Sequence, residues 1–337
     1  MADLGTSFMG IKIKNPIIVG ASNLSQNPET LVKLENAGAA AIVYKSLFEE
    51  QIQYERVQLD ENLHEFDDRH AEHITMHPKM EHAGPKQHLL ALKKAKETVS
   101  IPVIGSLNAI YKETWIEYAQ LIQETGVDGI ELNFYSVPKD VESDAAKLEN
   151  HQLDILKAVI EVINIPVSVK LGPFYTNPLS VISRMDEINV NGFVLFNRLF
   201  QPDIDVDTGN HILPFYLSEE GDYRLPLRFA GMLYNRLKGD ICSNTGIFSG
   251  KDVARMILAG ADCVQVVSAI YKFKPDHIIT MLSELEKWME SKSYKSLEDF
   301  RGKLSKAKTK DPFAYSRAQY VDILMNPEEI IKRYTTV

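Results

Sequence analysis

The stretch "ETGVDGIELNF" (residues 124–134) stops a polar helical pattern at Gly126 and passes at once into an apolar run with almost no alternation. The same grammar, a small or polar helix stop and then a short strand, recurs in "NAGAAAIVYKS" (36–46), "INVNGFVLFNR" (188–198) and "AGADCVQVVSA" (259–269). "SIPVIGSLN" (100–108) and "NIPVSVKLG" (164–172) open with proline instead, and "NPIIVGAS" (15–22) and "GDICSNTG" (239–246) complete a set of eight. Strands apolar on both faces belong in a parallel sheet covered by helices. Amphipathic patterns such as "KETWIEYAQLIQETG" and "GKDVARMILAG" lie between them and supply those helices. Eight β-then-α units predict an α/β protein, a (β/α)8 TIM barrel. A doubly wound sheet is the poorer match, because the first turn, "GASNLSQNPE", has no G-x-G-x-x-G.

Two connections exceed ordinary loop length, 49–84 after the second strand and 199–222 after the sixth. Both leave the C-terminal ends of strands, where barrel sites sit, so they read as lids. Residues 1–292 then make the barrel. Residues 293–337 form a charged C-terminal extension with aromatics, expected to pack on the barrel or on a second subunit of a homodimer.

Composition narrows the function classes. The 337 residues are 45% hydrophobic and carry a net charge of −9 with no dense basic stretch, which argues against nucleic acid as a partner. No apolar run approaches about 18 residues, and "MADLGTSFMGIKIKNP" has no signal-like apolar core, so a cytoplasmic protein without a membrane span is expected. Cys242 and Cys263 lie in apolar runs, which suits a reducing compartment, and two cysteines cannot hold an iron–sulfur cluster that normally takes four.

In a barrel the strand ends converge on one mouth. They carry Ala21, Ser22 and Asn23; Lys45 and Ser46; Ser106 and Asn108; Asn133 and Ser136; Lys170; Asn197; Thr245 and Gly246; and Ser268 and Ala269. Lysines ending apolar strands need an anionic partner. A carboxylate such as Glu131 or Asp128 could satisfy one of them, but two lysines together with the asparagines fit a planar ligand rich in carbonyls. After strands seven and eight, Gly246, Ser249-Gly250 and Ser268-Ala269 suggest a phosphate cradle, with a plain helix cap at Ser249 as the simpler reading. Six histidines (His64, His70, His73, His77, His82, His88) crowd the first lid, but without cysteines or an H-E-x-x-H they read as a solvated loop, and no metal is expected.

The segments "NPIIVGAS", "YKS", "IPVIGSLN", "GIELNF", "IPVSVKLGPF", "GFVLFNR" and "GIFSGKDVARMILAGADCVQVVSAI" resemble, in order and register, the dihydroorotate dehydrogenases, and most of all the outlying dihydroorotate dehydrogenase-like branch. The resemblance covers roughly residues 1–305. It implies an FMN barrel in which hydride passes from a substrate C–H to the flavin, with dihydroorotate the default substrate in pyrimidine biosynthesis. By position it implies that Ala21 and Ser22 line the flavin ring and Lys45 lies near flavin and substrate. Asn108 and Asn133 would bond flavin or substrate, Lys170 would face the pyrimidine edge of the flavin, and Asn197 would contact substrate. Thr245, Gly246, Ser268 and Ala269 would hold the phosphate end.

The family's catalytic loop reads Asn-x-Ser-Cys-Pro-Asn or Asn-x-Ser-Ser-Pro-Asn, whereas here it is Asn133-Phe134-Tyr135-Ser136-Val137-Pro138. The base position falls on Ser136, and Tyr135 is a rival proton donor. The substrate-gripping asparagine of the lid has no counterpart, so two substrate contacts are lost and a different cyclic or activated alkene is an alternative substrate. From other classes, a Schiff-base lyase using Lys170 or Lys45, or a flavin-holding barrel without catalysis, would also fit the strand ends.

Overall fold

A tight hairpin that the apolar pattern does not announce opens the chain. In this computed structural model, which describes residues 2–53, 85–135, 141–198 and 201–325, β1 (Thr6–Phe8) pairs antiparallel with β2 (Ile11–Ile13). Met9 and Gly10 make the turn with positive φ at both positions, the geometry that suits a two-residue hairpin. There follow β3 (Ile17–Val19), α1 (Pro28–Asn36), β4 (Ala41–Val43), the short β5 (Leu47–Phe48), α2 (Pro85–Thr98), β6 (Val103–Asn108) and α3 (Lys112–Glu124). The chain continues with β7 (Gly129–Phe134), α4 (Ala145–Val162), β8 (Val167–Leu171), α5 (Pro178–Asp186) and β9 (Gly192–Leu195). An exposed hairpin, β10 (Asp203–Asp205) and β11 (Asn210–Ile212), precedes α6 (Arg224–Leu233), β12 (Asp240–Asn244), α7 (Gly250–Ala259), β13 (Cys263–Val266), α8 (Ser268–Phe273), α9 (His277–Ser291) and α10 (Ala318–Met325).

The parallel order β4-β3-β13-β12-β9-β8-β7-β6 closes on itself through a β4–β6 pairing, so the eight expected strands form the expected (β/α)8 barrel. Helix starts follow the sequence chemistry. Asn27 and Asn177 cap α1 and α5 just before a first-turn proline, and Asp144 caps α4.

The hairpin tip plugs the base of the barrel. Phe8 and Met9 are buried there with Ile18, Val43, Val194 and both cysteines, which are free thiols. Gly192 makes room for them, since a Cβ there would lie 2.7 Å from the Phe8 ring and 3.2 Å from Met9. Above the plug the interior turns polar. Ser106, Glu131 and Ser168 stand in register on adjacent strands, and with Ser243 and Gln265 they are fully buried. An apolar barrel has no use for such a layer, so it points up the axis toward the mouth.

Residues 301–306 of the C-terminal extension are fastened to the barrel. Arg301 ion-pairs with Asp262 at 2.7 Å and Glu298 at 2.6 Å and donates to Thr6 Oγ1 at 2.9 Å. The N–H groups of Gly302 and Lys306 bond the carbonyls of Ile257 and Gly231. Of the first lid, residues 54–84 lie outside the described residues, His64, His70, His73, His77 and His82 among them. His88 does not belong to that loop. It is buried on α2, edge-on to Tyr44 with ring centroids 5.4 Å apart.

Candidate functional site

Lys170 ends β8 just above the polar layer, and its surroundings explain why a lysine can stand there. It is almost fully buried, lies 3.7 Å from Glu131 Oε1 and donates to Gln265 Oε1 at 3.3 Å. Gln265 in turn donates to Glu131 Oε2 at 2.5 Å. The carboxylate that satisfies this lysine is therefore Glu131, whereas Asp128 is taken by Lys96 at 2.7 Å. Glu131 Oε1 accepts no hydrogen bond among the described residues, so Lys170 meets it as an ion pair at 3.7 Å without a hydrogen bond. Gln265, a polar residue inside "DCVQVV", is a partner that strand-end reasoning passes over, although its place in an apolar run was a readable signal.

Above this base lie two adjoining cavities. The larger, about 420 Å³, is walled by Ala21, Ser22, Lys45, Asn133, Tyr135, Lys170 and Asn197, among others. Its size falls in the range of small-molecule pockets. Asn197 Nδ2 donates to Asn133 Oδ1 at 2.8 Å, which fixes the orientation of both amides in the cavity wall. Burial lowers the pKa of Lys45 below the ordinary lysine value. Asn108 is not in the wall. It spends its amide on the Asn133 carbonyl at 2.7 Å and so supports the Asn133–Asn197 pair from beneath.

The smaller cavity, about 140 Å³, shares Ala21, Lys170 and Asn197 with the larger one and reaches Thr245, Gly246 and Ser268. Thr245 and Gly246 both have positive φ, and a side chain at Gly246 would run into the backbone of Asp222 and Tyr223. Ser218 completes this end. Its N–H donates to Ser268 Oγ at 2.9 Å, its hydroxyl accepts from the Gly246 N–H at 3.3 Å, and its carbonyl accepts from Lys272 at 3.1 Å. Nothing in the sequence marks Ser218, which sits deep in a long connection without periodicity. Ala269 is buried behind Ser268 and touches neither cavity. The expectation that the helix start at Ser249-Gly250 faces an anion is corrected. Ser249 and Asp252 form a capping box, and the Gly250 N–H is consumed by Glu284 at 2.8 Å, so the plain cap holds.

Ser136 lies outside the described residues, and Tyr135 is the last residue of that loop to be seen, in the wall of the larger cavity. Among the described residues no cluster of His, Cys, Asp and Glu could hold a metal, and no helix is long and apolar enough to cross a membrane. The arrangement can therefore hold a planar ligand between two cationic amines and a fixed amide pair, with an anionic tail against Gly246 and Ser268.

A family model for dihydroorotate dehydrogenase matches residues 80–289. The dihydroorotate dehydrogenase B (NAD(+)) catalytic subunit of Thermoplasma acidophilum is 27% identical over 312 residues, covering 90% of this chain and 99% of that protein. The same-named subunit of Thermoplasma volcanium is 28% identical over 313 residues, covering 90% and 98%. That of Methanocaldococcus jannaschii is 27% identical over 297 residues, covering 83% and 94%. The chain belongs to the dihydroorotate dehydrogenase family, flavin-dependent oxidoreductases acting on CH–CH donors.

Proposed function

We propose that the chain is an FMN-dependent enzyme that oxidises dihydroorotate to orotate in pyrimidine biosynthesis. One observation carries the reading. Lys170, ion-paired with Glu131, and the locked Asn133–Asn197 pair border one cavity that continues to a Gly246–Ser268 cradle. The donor set fits FMN. An ammonium held by a buried carboxylate suits the pyrimidine edge of a flavin that gains negative charge on reduction. The left-handed Thr245-Gly246 turn with Ser268 suits a phosphate, which would take over the Gly246 N–H from its long 3.3 Å bond to Ser218 Oγ. When bound, FMN supplies the acceptor for a hydride.

The chain's own residues do the rest. Asn133 and Asn197 orient the substrate ring, and Lys170 and Lys45 favour charge that develops across it. Ser136 takes the proton lost from the neighbouring carbon through a water chain, because an unassisted hydroxyl is a weak base, and Tyr135 is the rival group, a proton donor for the reverse reaction. Buried, unpaired Cys242 and Cys263 accord with a cytoplasmic enzyme.

The test is anaerobic mixing of FMN-reconstituted protein with dihydroorotate. Loss of the yellow flavin absorbance is expected, and no bleaching at millimolar substrate refutes the reading. The lowered pKa of Lys45 favours one rival, an amine that forms a Schiff base with a carbonyl substrate. That reading predicts a colourless protein inactivated covalently by substrate plus borohydride.

A further inference from the structure

Arg198 follows Asn197 at the end of β9 and, like it, borders all three cavities around the mouth. The third cavity, about 470 Å³, is lined by Phe174, Phe196, Leu225 and Pro226, with Asp222 and Arg224 also on its wall. Arg198 therefore borders both the ring chamber and this third pocket. Its Nη1 is buried and makes no hydrogen bond among the described residues. Its ion-pair partner, Asp222 Oδ2, is 3.7 Å away, beyond hydrogen-bond reach, and already accepts from the Glu219 N–H at 2.9 Å. A buried guanidinium N–H without an acceptor is costly, so the arrangement calls for an anionic acceptor brought by a ligand.

Two anions could answer, the tail phosphate of the cofactor or a carboxylate on the substrate. The cradle residues Gly246 and Ser268 border only the small cavity, whereas Arg198 shares the large one with Lys45, Asn133 and Tyr135. A planar fork of N–H donors beside a fixed amide pair matches a carboxylate on a planar ring. We propose that Arg198 is a specificity-determining residue that takes the carboxylate of the substrate. The proposal rests on the reading that this mouth oxidises a ring substrate.

The experiment titrates the full-length, FMN-loaded chain by calorimetry with two matched pairs, orotate against uracil and nicotinate against nicotinamide. The parent should prefer the carboxylate member by about 10- to 100-fold, the range for a hydrogen bond to a charged group. Arg198→Gln should abolish that preference without changing uracil affinity, and Arg198→Lys should keep part of it, as a charge without the fork. The preference for FMN over riboflavin should stay constant in both variants. A carboxylate preference that survives Arg198→Gln overturns the proposal. So does its absence from the parent in both pairs, or a loss that falls on the FMN-to-riboflavin ratio instead. If dihydroorotate leaves the flavin oxidised while an Arg198-dependent preference for nicotinate is present, the proposed reaction fails and the role of Arg198 stands.

Discussion

Glu131 is fully buried, and the cation beside it is Lys170, so removing the lysine should be felt well beyond the mouth. Lys170→Met leaves the carboxylate without its counter-charge and should lower unfolding free energy by about 3–5 kcal/mol. The double variant Lys170→Met, Glu131→Gln should recover most of that loss, because no buried charge remains. Urea unfolding of both variants measures this, and equal stabilities would show that the two side chains do not interact. At the other end of the site, Gly246→Ala places a side chain at φ +72 against the Asp222–Tyr223 backbone. It should weaken flavin binding and cost at least about 1 kcal/mol, read by flavin retention on dialysis and by melting. The lysines and asparagines of the mouth were legible because a charge or an amide that ends an apolar run must be matched by a partner or a ligand. Arg198 stood one residue further along and read as an ordinary exit from the strand, and Ser218 is placed by a backbone path that no local pattern encodes.

Among the elements, the β1–β2 hairpin gives the barrel its floor. Phe8→Ala should cost about 3–5 kcal/mol, as for other large buried aromatics, and leave the residues of the mouth in place. Denaturant titration alongside FMN affinity separates the two effects, and a loss of FMN binding in folded protein would contradict the assignment of Phe8 to the floor alone. All eight barrel strands were readable from their unalternating apolar runs. The floor was not, since three-residue strands carry too few positions to show a period, and their partner is a turn at Met9-Gly10 rather than a neighbouring helix. The exposed β10–β11 hairpin was hidden for the same reason inside its long connection.

At the scale of the whole molecule, buried His88 and half-buried Asp262 pull the pH dependence of stability in opposite directions. Burial, with Lys45 nearby, pushes His88 down to about 4. The unfolded chain then binds more protons than the folded one between pH 4 and 6.5, so this residue adds stability as pH rises through that window. Burial pushes Asp262 up to about 6 despite Arg301. There the folded state binds the extra proton, so stability from Asp262 is fully present below about 3.8 and lost as pH rises through 6. Each contribution is about 3 kcal/mol, and the two oppose each other. His88→Phe should therefore expose a stability that falls from pH 4 to 6, and Asp262→Asn one that rises. Urea midpoints across that range decide it, and parallel profiles for parent and variants would rule it out.

The Arg301 clasp has a consequence for the order in which the protein is made. β3, the first barrel strand, finds its second neighbour only when β13 exists. Thr6, beside the floor, is tied to Arg301, and Gly302 and Lys306 are the residues that stitch down α7 and α6. A ribosome must therefore translate about nine-tenths of the 337 residues before the first strand gains its last partner and its floor is fastened. Until then the growing chain carries an unpaired strand edge, the kind of surface that invites aggregation and chaperone capture. Nascent chains stalled before Arg301 has left the exit tunnel should remain open to protease, and chains stalled well after it should resist.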